Sequence, residues 1–322
     1  MNIYKTEIGT DIDKAAELLI KGELVAIPTE TVYGLAGNAL NETVVKKIFK
    51  AKQRPFTNPL IVHISGIEKL SAIVKTIPDI AFELLQTFSP GPLTLILPKK
   101  DVIPYFVTAN SSLVAVRIPN HSLCFELLKR LPFPLAAPSA NKFTGISPTN
   151  PSHVFSQLSG EIPYILDGGS CNDGIESTIV GFEDDTILVY RLGAITMEQI
   201  LQIHPHVKLA NDQKVIHSPG MMQHHYAPKT PLILTENIES SISLYNDKKI
   251  AVLYFKSPTL KLPTAYEQVL SITGNLTEAA SNLYKALYEL DKQKPDIIIA
   301  EKLPNIGLGQ SINDRLTRAA AK

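Results

Sequence analysis

The 322-residue chain has only two cysteines, Cys124 and Cys171, far apart in sequence. They match neither a disulfide framework nor the paired spacing of a zinc site. No apolar run reaches the roughly 18 residues that a membrane span requires. The amino-terminal stretch MNIYKTEIGTDIDKAAELLIKGE contains acids and no apolar h-region, which speaks against a secretory signal and for a cytoplasmic chain. Neither sign of charge prevails, with 31 basic side chains against 31 acidic ones. A protein that grips nucleic acid over its whole surface would be basic, so tight general binding to DNA or tRNA is not expected. Also missing are a Walker or Rossmann glycine pattern, a nucleophile elbow, an HExxH helix and a clustered carboxylate metal site.

What is present is an α/β pattern in a chain long enough for two domains. DIDKAAELLIKGE sets Ile12, Ala15, Ala16 and Leu19 at helical spacing, with Gly22 placed to end the helix. LVAI reads as a buried strand, and a helix over 41–52 leads to the strand PLIVHI. Further strands are expected at PLTLILP, LVAVRIP, PLAAP, YILD, STIVGF and ILVYR, with helices near 66–75, 79–88, 121–131 and 196–203. From about 204 to 230 the periodicity gives way to His, Pro, Gly and Met, as in an ordered linker. Beyond it PLILT, KIAVLYF and DIIIAEKL read as strands of a smaller α/β unit. Between the last two, Asn275 is a candidate cap with Glu278 three residues on, opening a helix whose Leu276, Ala279, Ala280, Leu283, Leu287 and Leu290 share one face.

In open α/β sheets ligands bind outside the carboxyl ends of strands, and two polar clusters, PTETVYG and APSANKFTGISPT, follow strands in that way. The densest basic stretch is KKIFKAKQR, residues 46–54, with no acid in it. Such a cluster suits a compact polyanion such as a triphosphate, or is simply a solvated helix face. Arg54 fits the solvated face least well, because RPFTNP lies past the helix and just before a buried strand. PSAN and GISPT supply hydroxyls and an amide, or are ordinary Ser/Pro turns. The glycines of DGGSCNDGIESTIV could shape a hairpin. His63, among apolar neighbours, is more often a satisfied core residue than a ligand. Local chemistry thus leads to a two-domain enzyme or binding protein with an anion pocket.

Seven stretches in one order carry a more specific message: PTETVYGLAGNA, KQRPFTNPLIVHI, SPGPLTLIL, VAVRIP, APSANKFTGISPT, DGG…GIESTIV and RLGAIT. With the trailing SPGMMQHHYAPKTPL and GLGQSINDRLTRAAAK, nearly the whole chain resembles the long, two-domain form of the YrdC-like family of L-threonylcarbamoyladenylate synthases. The resemblance implies a twisted mixed sheet with helices over 1–204, a linker over 205–229 that crosses the active site as a lid, and a smaller Rossmann-like domain over 230–322. It implies a nucleotidyltransferase that joins L-threonine, bicarbonate and ATP into threonylcarbamoyl-AMP and pyrophosphate, for a separate complex that modifies tRNA. Thr31, His63, Arg117, Ala137 and Ser177 would line the threonine pocket, Arg117 forking onto the carboxylate. Lys52, Arg54, Asn58, Ser139, Asn141, Ser147, Arg191 and Tyr226 would hold ATP, and Mg²⁺ would arrive with the nucleotide.

The chain departs from that pattern at Asn58, where short members often carry Lys, at Leu113, where Thr or Ser is usual, and at Met222, near which basic residues are common. HSPGMMQHHYAP, residues 217–228, brings His217, His224 and His225 close together, as a metal site would. Without an acidic or thiol partner they make poorly organised ligands, and the resemblance favours the lid. A non-enzymatic RNA-binding module is disfavoured by the neutral charge and the lack of aromatic stacking motifs. A carbamoyl-transfer enzyme of the hydrogenase-maturation type would need acylphosphatase-like and zinc-finger segments, which this chain lacks.

Overall fold

The computed structural model describes residues 4–210, 225–258 and 263–321. Asp11 accepts a hydrogen bond from the Lys14 amide and opens the helix Ile12–Ile20, and Gly22 follows it at φ 77°, a conformation that favours glycine. Ala15, Ala16 and Leu19 are the buried residues of that helix, as the helical spacing predicts. Asn41 caps the helix Glu42–Lys52, which ends on Gln53 in the left-handed conformation at φ 55°.

These helices pack on an eleven-stranded mixed sheet. Across the sheet its strands run Glu7–Gly9, Tyr164–Leu166, Val25–Ile27, Gly34–Asn38, Leu135–Ala136, Ile61–His63, Leu113–Arg117, Leu93–Pro98, Thr178–Glu183, Thr186–Arg191 and Val207–Leu209. The strand Gly34–Asn38 escapes the sequence pattern because its side chains are small. Its neighbours explain the small size: a Cβ on Gly37 would stand 2.8 Å from Val44 Cγ1 of the overlying helix. Val207–Leu209 also differs from expectation. It falls in the expected linker, yet it pairs in parallel with Thr186–Arg191 and so extends the sheet. Of that linker, residues 211–224 lie outside the described residues, and with them His217, Met222 and His224.

The second sheet has four parallel strands in the order Leu232–Thr235, Ile297–Glu301, Ile250–Tyr254, Tyr266–Val269. The helix Leu276–Lys292 buries Ala279, Ala280, Leu283, Leu287 and Leu290, with Tyr284 and Ala286 beside them. Its start is built differently from a simple capping box. Asn275 Oδ1 accepts from the Glu278 amide, but Glu278 itself accepts from the Ser271 hydroxyl, which in turn accepts from the Asn275 amide. The reciprocal bond is relayed through Ser271. No helix among the described residues is long and apolar enough to cross a membrane.

The two sheets share apolar packing. Val32, Ile146, Ile175 and Tyr226 belong to the same buried cluster as Leu283, Tyr284, Leu287, Ile312 and Leu316. At the edge of this junction the His153 ring stacks on Tyr288, centroids 3.8 Å apart and planes at 14°. Burial, and then the nearby Lys285 charge, pull His153 down to about 4. In the unfolded chain the ring titrates near 6.5. Its stability contribution is therefore complete above pH 6.5 and is lost as pH falls from there toward 4. Between pH 7 and 5 this one ring should account for up to about 2 kcal/mol of lost stability. A His153→Phe variant keeps an aromatic ring and cannot titrate. Its melting temperature should fall less steeply with acid than that of the parent, and parallel curves would disprove the role.

Candidate active site

The pocket forms where strand ends converge. Past Val25–Ile27 the chain turns at Thr29, whose hydroxyl donates to the Val32 carbonyl (2.6 Å) and accepts from the Val32 amide (3.2 Å). That turn presents Thr31, fully buried, to Arg117 at the end of the strand Leu113–Arg117, and Arg117 Nη1 donates to Thr31 Oγ1 at 2.8 Å. His63 lies opposite Arg117 in the parallel pairing of Ile61–His63 with Leu113–Arg117. Arg191 closes the far side, donating to the Ser177 carbonyl (3.0 Å) and hydroxyl (2.9 Å), and that hydroxyl also bonds Thr94 at 2.8 Å. The pocket sits at the carboxyl-end crevice expected for an open α/β sheet.

Electrostatically this is an anion site. Arg54, Arg117 and Arg191 all line it, and each is at most 8% exposed. Arg117 Nη2 stands 2.8 Å from Glu30 Oε1, an ion pair inside the fold. Burial pulls the Arg54 guanidinium down to about 9, which leaves it protonated at neutral pH. Burial, with the Arg117 charge beside it, pushes His63 down to about 3, so its ring is neutral. Its Nδ1 has no hydrogen-bond partner. A neutral ring with an open nitrogen beside several guanidiniums can serve a polar group without adding charge.

The basic stretch 46–54 divides. Lys46 and Lys47 pair with Glu42 and Glu23 at the surface, and Lys50 is exposed. These three are the solvated helix face. Lys52 ends the helix on its buried face, in line with Val45, Ile48 and Phe49, and Arg54 turns inward after Gln53 reverses the chain. Lys52 Nζ donates to the Ser139 carbonyl (2.5 Å), the Asn141 carbonyl (2.6 Å) and Asn141 Oδ1 (3.2 Å). Burial, then the charges of Arg54 and Lys142, lower its pKa well below the usual lysine range. Arg54 is held by Asn58 Oδ1 at 2.5 Å and the Pro59 carbonyl at 2.8 Å. Asn58, a departure from the family pattern, thus orients a charge where a lysine would add one. Leu113, a second departure, packs beside the small apolar cluster of Ile61, Ile96, Ala115 and Ile179.

Nine of the expected site residues line one pocket: Thr31, Arg54, His63, Arg117, Ala137, Ser139, Ser177, Arg191 and Tyr226. Lys52, Asn58, Asn141 and Ser147 stand behind it, bonded to Ser139, Arg54 or Glu176. Of the three linker histidines only His225 is described. It is buried against the pocket, its ring 4.1 Å from that of Tyr226, and burial followed by the Arg54 and Lys52 charges holds it well below the usual histidine range. With His225 and Tyr226 in place the cavity has only about 50 Å³ of free volume, well short of the ~300 Å³ typical of a ligand site. Among the described residues, one group of three could hold a metal, Asp185, His204 and His206. None of them lines the pocket.

The sequence reading missed Glu176, Tyr284 and Arg315. Glu176 lines the pocket and accepts from Ser147 Oγ (2.6 Å), Arg315 Nε (3.0 Å) and the Tyr284 hydroxyl (2.9 Å). The available signal was a lone acid in GIESTIV and the first of two arginines in NDRLTR, which nothing in the sequence joins.

Comparison with known proteins accords with this geometry. Residues 17–193 match the Sua5_yciO_yrdC family model, described as "Telomere recombination". Residues 195–321 match the model of the threonylcarbamoyl-AMP synthase C-terminal domain. The threonylcarbamoyl-AMP synthase of Bacillus subtilis is 42% identical over 320 residues, covering 96% of this chain and 92% of that one. That of Pyrococcus abyssi is 38% identical over 322 residues, covering 95% and 93%. The crystal structure of P. abyssi Sua5 complexed with L-threonine superposes with a TM-score of 0.91 at 36% identity, covering 99% of this chain and 97% of that one. Matched by both models and alike to these relatives over almost their full length, the chain belongs to the Sua5 family of threonylcarbamoyl-AMP synthases, nucleotidyltransferases of tRNA modification.

Proposed function

We propose that the pocket binds L-threonine at Thr31, His63, Arg117, Ala137 and Ser177, and ATP at Arg54, Ser139, Arg191 and Tyr226, with Lys52, Asn58, Asn141 and Ser147 fixing the wall behind. The observation that carries this is the convergence of three buried guanidiniums and a neutral imidazole in one pocket. The likeness to a Sua5 structure complexed with L-threonine supports the amino-acid half. In the reaction, the neutral threonine amine and bicarbonate give a carbamate and water. A carbamate oxygen then attacks the α-phosphorus of ATP, and pyrophosphate leaves. Positioning and charge stabilisation suffice, with no covalent nucleophile. Arg117 grips the threonine carboxylate, while the uncharged His63, with its Nδ1 unpartnered, offers the neutral amine a polar partner. Arg54 favours the charge that grows on the departing pyrophosphate, and Lys52 holds the Ser139–Asn141 wall beside it.

Mg²⁺ comes with the nucleotide on this reading. Glu176, the one carboxylate among the described residues that line the pocket, is already taken by Ser147, Tyr284 and Arg315. Bound with ATP, the ion would screen the triphosphate. The proposed division is a catalytic unit over 1–204, a lid over 205–229 and a smaller domain over 230–322, the pairing of Val207–Leu209 moving the lid's start to about 210. The small free volume supports a lid: Tyr226 and His225 occupy space that ATP needs, so they withdraw to admit it and close again over the adenylate. The enzyme then works in the cytoplasm and hands threonylcarbamoyl-AMP to a tRNA-modifying transferase complex, without itself binding nucleic acid tightly.

The test is pyrophosphate release from ATP with threonine and bicarbonate omitted in turn. Release should require both, because the attacking group is the carbamate that they form together. Equal release from a rigorously bicarbonate-free mixture would overturn the assignment.

A further inference from the structure

Glu176 places a negative charge where an anion pocket has least use for one. It is 5% exposed and lines the same pocket as Arg54, Arg117 and Arg191. A bare carboxylate there would repel a triphosphate and a threonine carboxylate alike. It would also draw Arg191 toward itself and away from a ligand. Ser147, from the first domain, contributes one neutral donor. The rest of its direct support crosses from the second domain. From the helix Leu308–Ala320, Arg315 Nε donates to Glu176 Oε2 at 3.0 Å. From the helix Leu276–Lys292, the Tyr284 hydroxyl lies 2.9 Å from both carboxylate oxygens.

Arg315 is anchored for this task. It is 1% exposed, and its Nη2 donates to the Leu192 carbonyl at 2.6 Å. Its guanidinium carbon stands 5.2 Å from the centre of the Tyr226 ring, so the same side chain also backs the pocket wall. One turn away, Ser311 Oγ donates to the Gly193 carbonyl at 2.8 Å and ties the helix to the same loop. Burial alone would favour a protonated Glu176, but the Arg315 and Arg191 charges and the Ser147 bond hold its carboxyl below the ordinary range.

We infer that the second domain is the pocket's counter-charge: docked Arg315 cancels the Glu176 carboxylate, so that anionic substrates are accepted only while the two domains stay together. Arg315 is a positioning residue, acting through Glu176 and not on the reacting atoms. The inference rests on the proposed ATP site and adds what governs it.

The test measures ATP affinity calorimetrically on the full chain for Arg315→Gln, Glu176→Gln and the double variant, with Arg54→Ala as a control on the site itself. Arg315→Gln leaves a buried charge without its partner and should weaken ATP binding by roughly tenfold or more. The double variant, an uncharged pair, should recover most of that loss. A double variant as weak as the single one would show that Arg315 serves packing or meets the ligand directly, and would overturn the inference. So would a folded Arg315→Gln with parental affinity. Should Arg315→Gln fail to fold, the double variant still decides, because it buries no unpaired charge. If it folds yet binds ATP no better than Arg54→Ala, the inference fails. If Arg54→Ala itself binds ATP normally, the ATP site is misassigned and the inference falls with it.

Discussion

An Arg54→Ala variant should bind ATP about ten- to a hundredfold more weakly, while threonine binding measured without ATP stays near that of the parent. Arg54 lines the pocket through a guanidinium already oriented by Asn58 Oδ1 and the Pro59 carbonyl. A pre-oriented cation loses little freedom on meeting a phosphate, and one charge-assisted contact of this kind is worth ~1.5–3 kcal/mol. The substitution also strands the three oxygens that hold Arg54, the Asn58 carbonyl among them, so the melting temperature should drop by a few degrees while the variant remains folded. Parental ATP affinity in the folded variant would remove Arg54 from the nucleotide site.

A large loss of stability should follow Gly174→Ala. Gly174 adopts φ +67°, and a Cβ there would stand 2.4 Å from the Ser281 carbonyl oxygen and 2.5 Å from its Cα. Ser281 lies in the helix Leu276–Lys292, so the clash is with backbone of the other domain, which cannot swing aside as a side chain would. Left-handed strain of ~1–2 kcal/mol adds to overpacking of ~1–3 kcal/mol. The variant should melt several degrees lower and become open to protease at the domain junction. Gly169 supplies the control. It has φ +77° with nothing within 4 Å of its added Cβ, so Gly169→Ala should incur the backbone strain alone. Equal losses at the two positions would show that the close approach to Ser281 is unimportant.

Much of this was legible in the sequence because it is local. Helix periods, a cap such as Asn275, and β-branched runs such as LIVHI declare themselves within ten residues. The strand Gly34–Asn38 did not, because its small residues answer to a helix that packs on them, a tertiary demand that no local pattern records. The site divides the same way. Lys52 and Arg54 were visible as basic residues, but the packing of the helix face, which buries Lys52, and the turn at Gln53, which carries Arg54 inward, separate them from the solvent-facing Lys46, Lys47 and Lys50. The residues expected from the resemblance gather at the pocket, whereas Glu176, Tyr284 and Arg315 are joined only by folding. Single charged residues more than a hundred positions apart carry no spacing signal.

The order in which the pocket's parts leave the ribosome has a consequence of its own. The wall is made of Thr31, Arg54, Arg117 and Ser177, all early in the chain, while Arg315 is the last of the contributing residues to be synthesised. Domains fold as units in the order they emerge. A nascent chain can therefore assemble the first sheet, and even the guanidinium cluster, while Glu176 still lacks its partner from the second domain. Through that interval the half-made protein would hold neither ATP nor threonine, and the ability to bind them would mark a chain whose synthesis has reached its second domain.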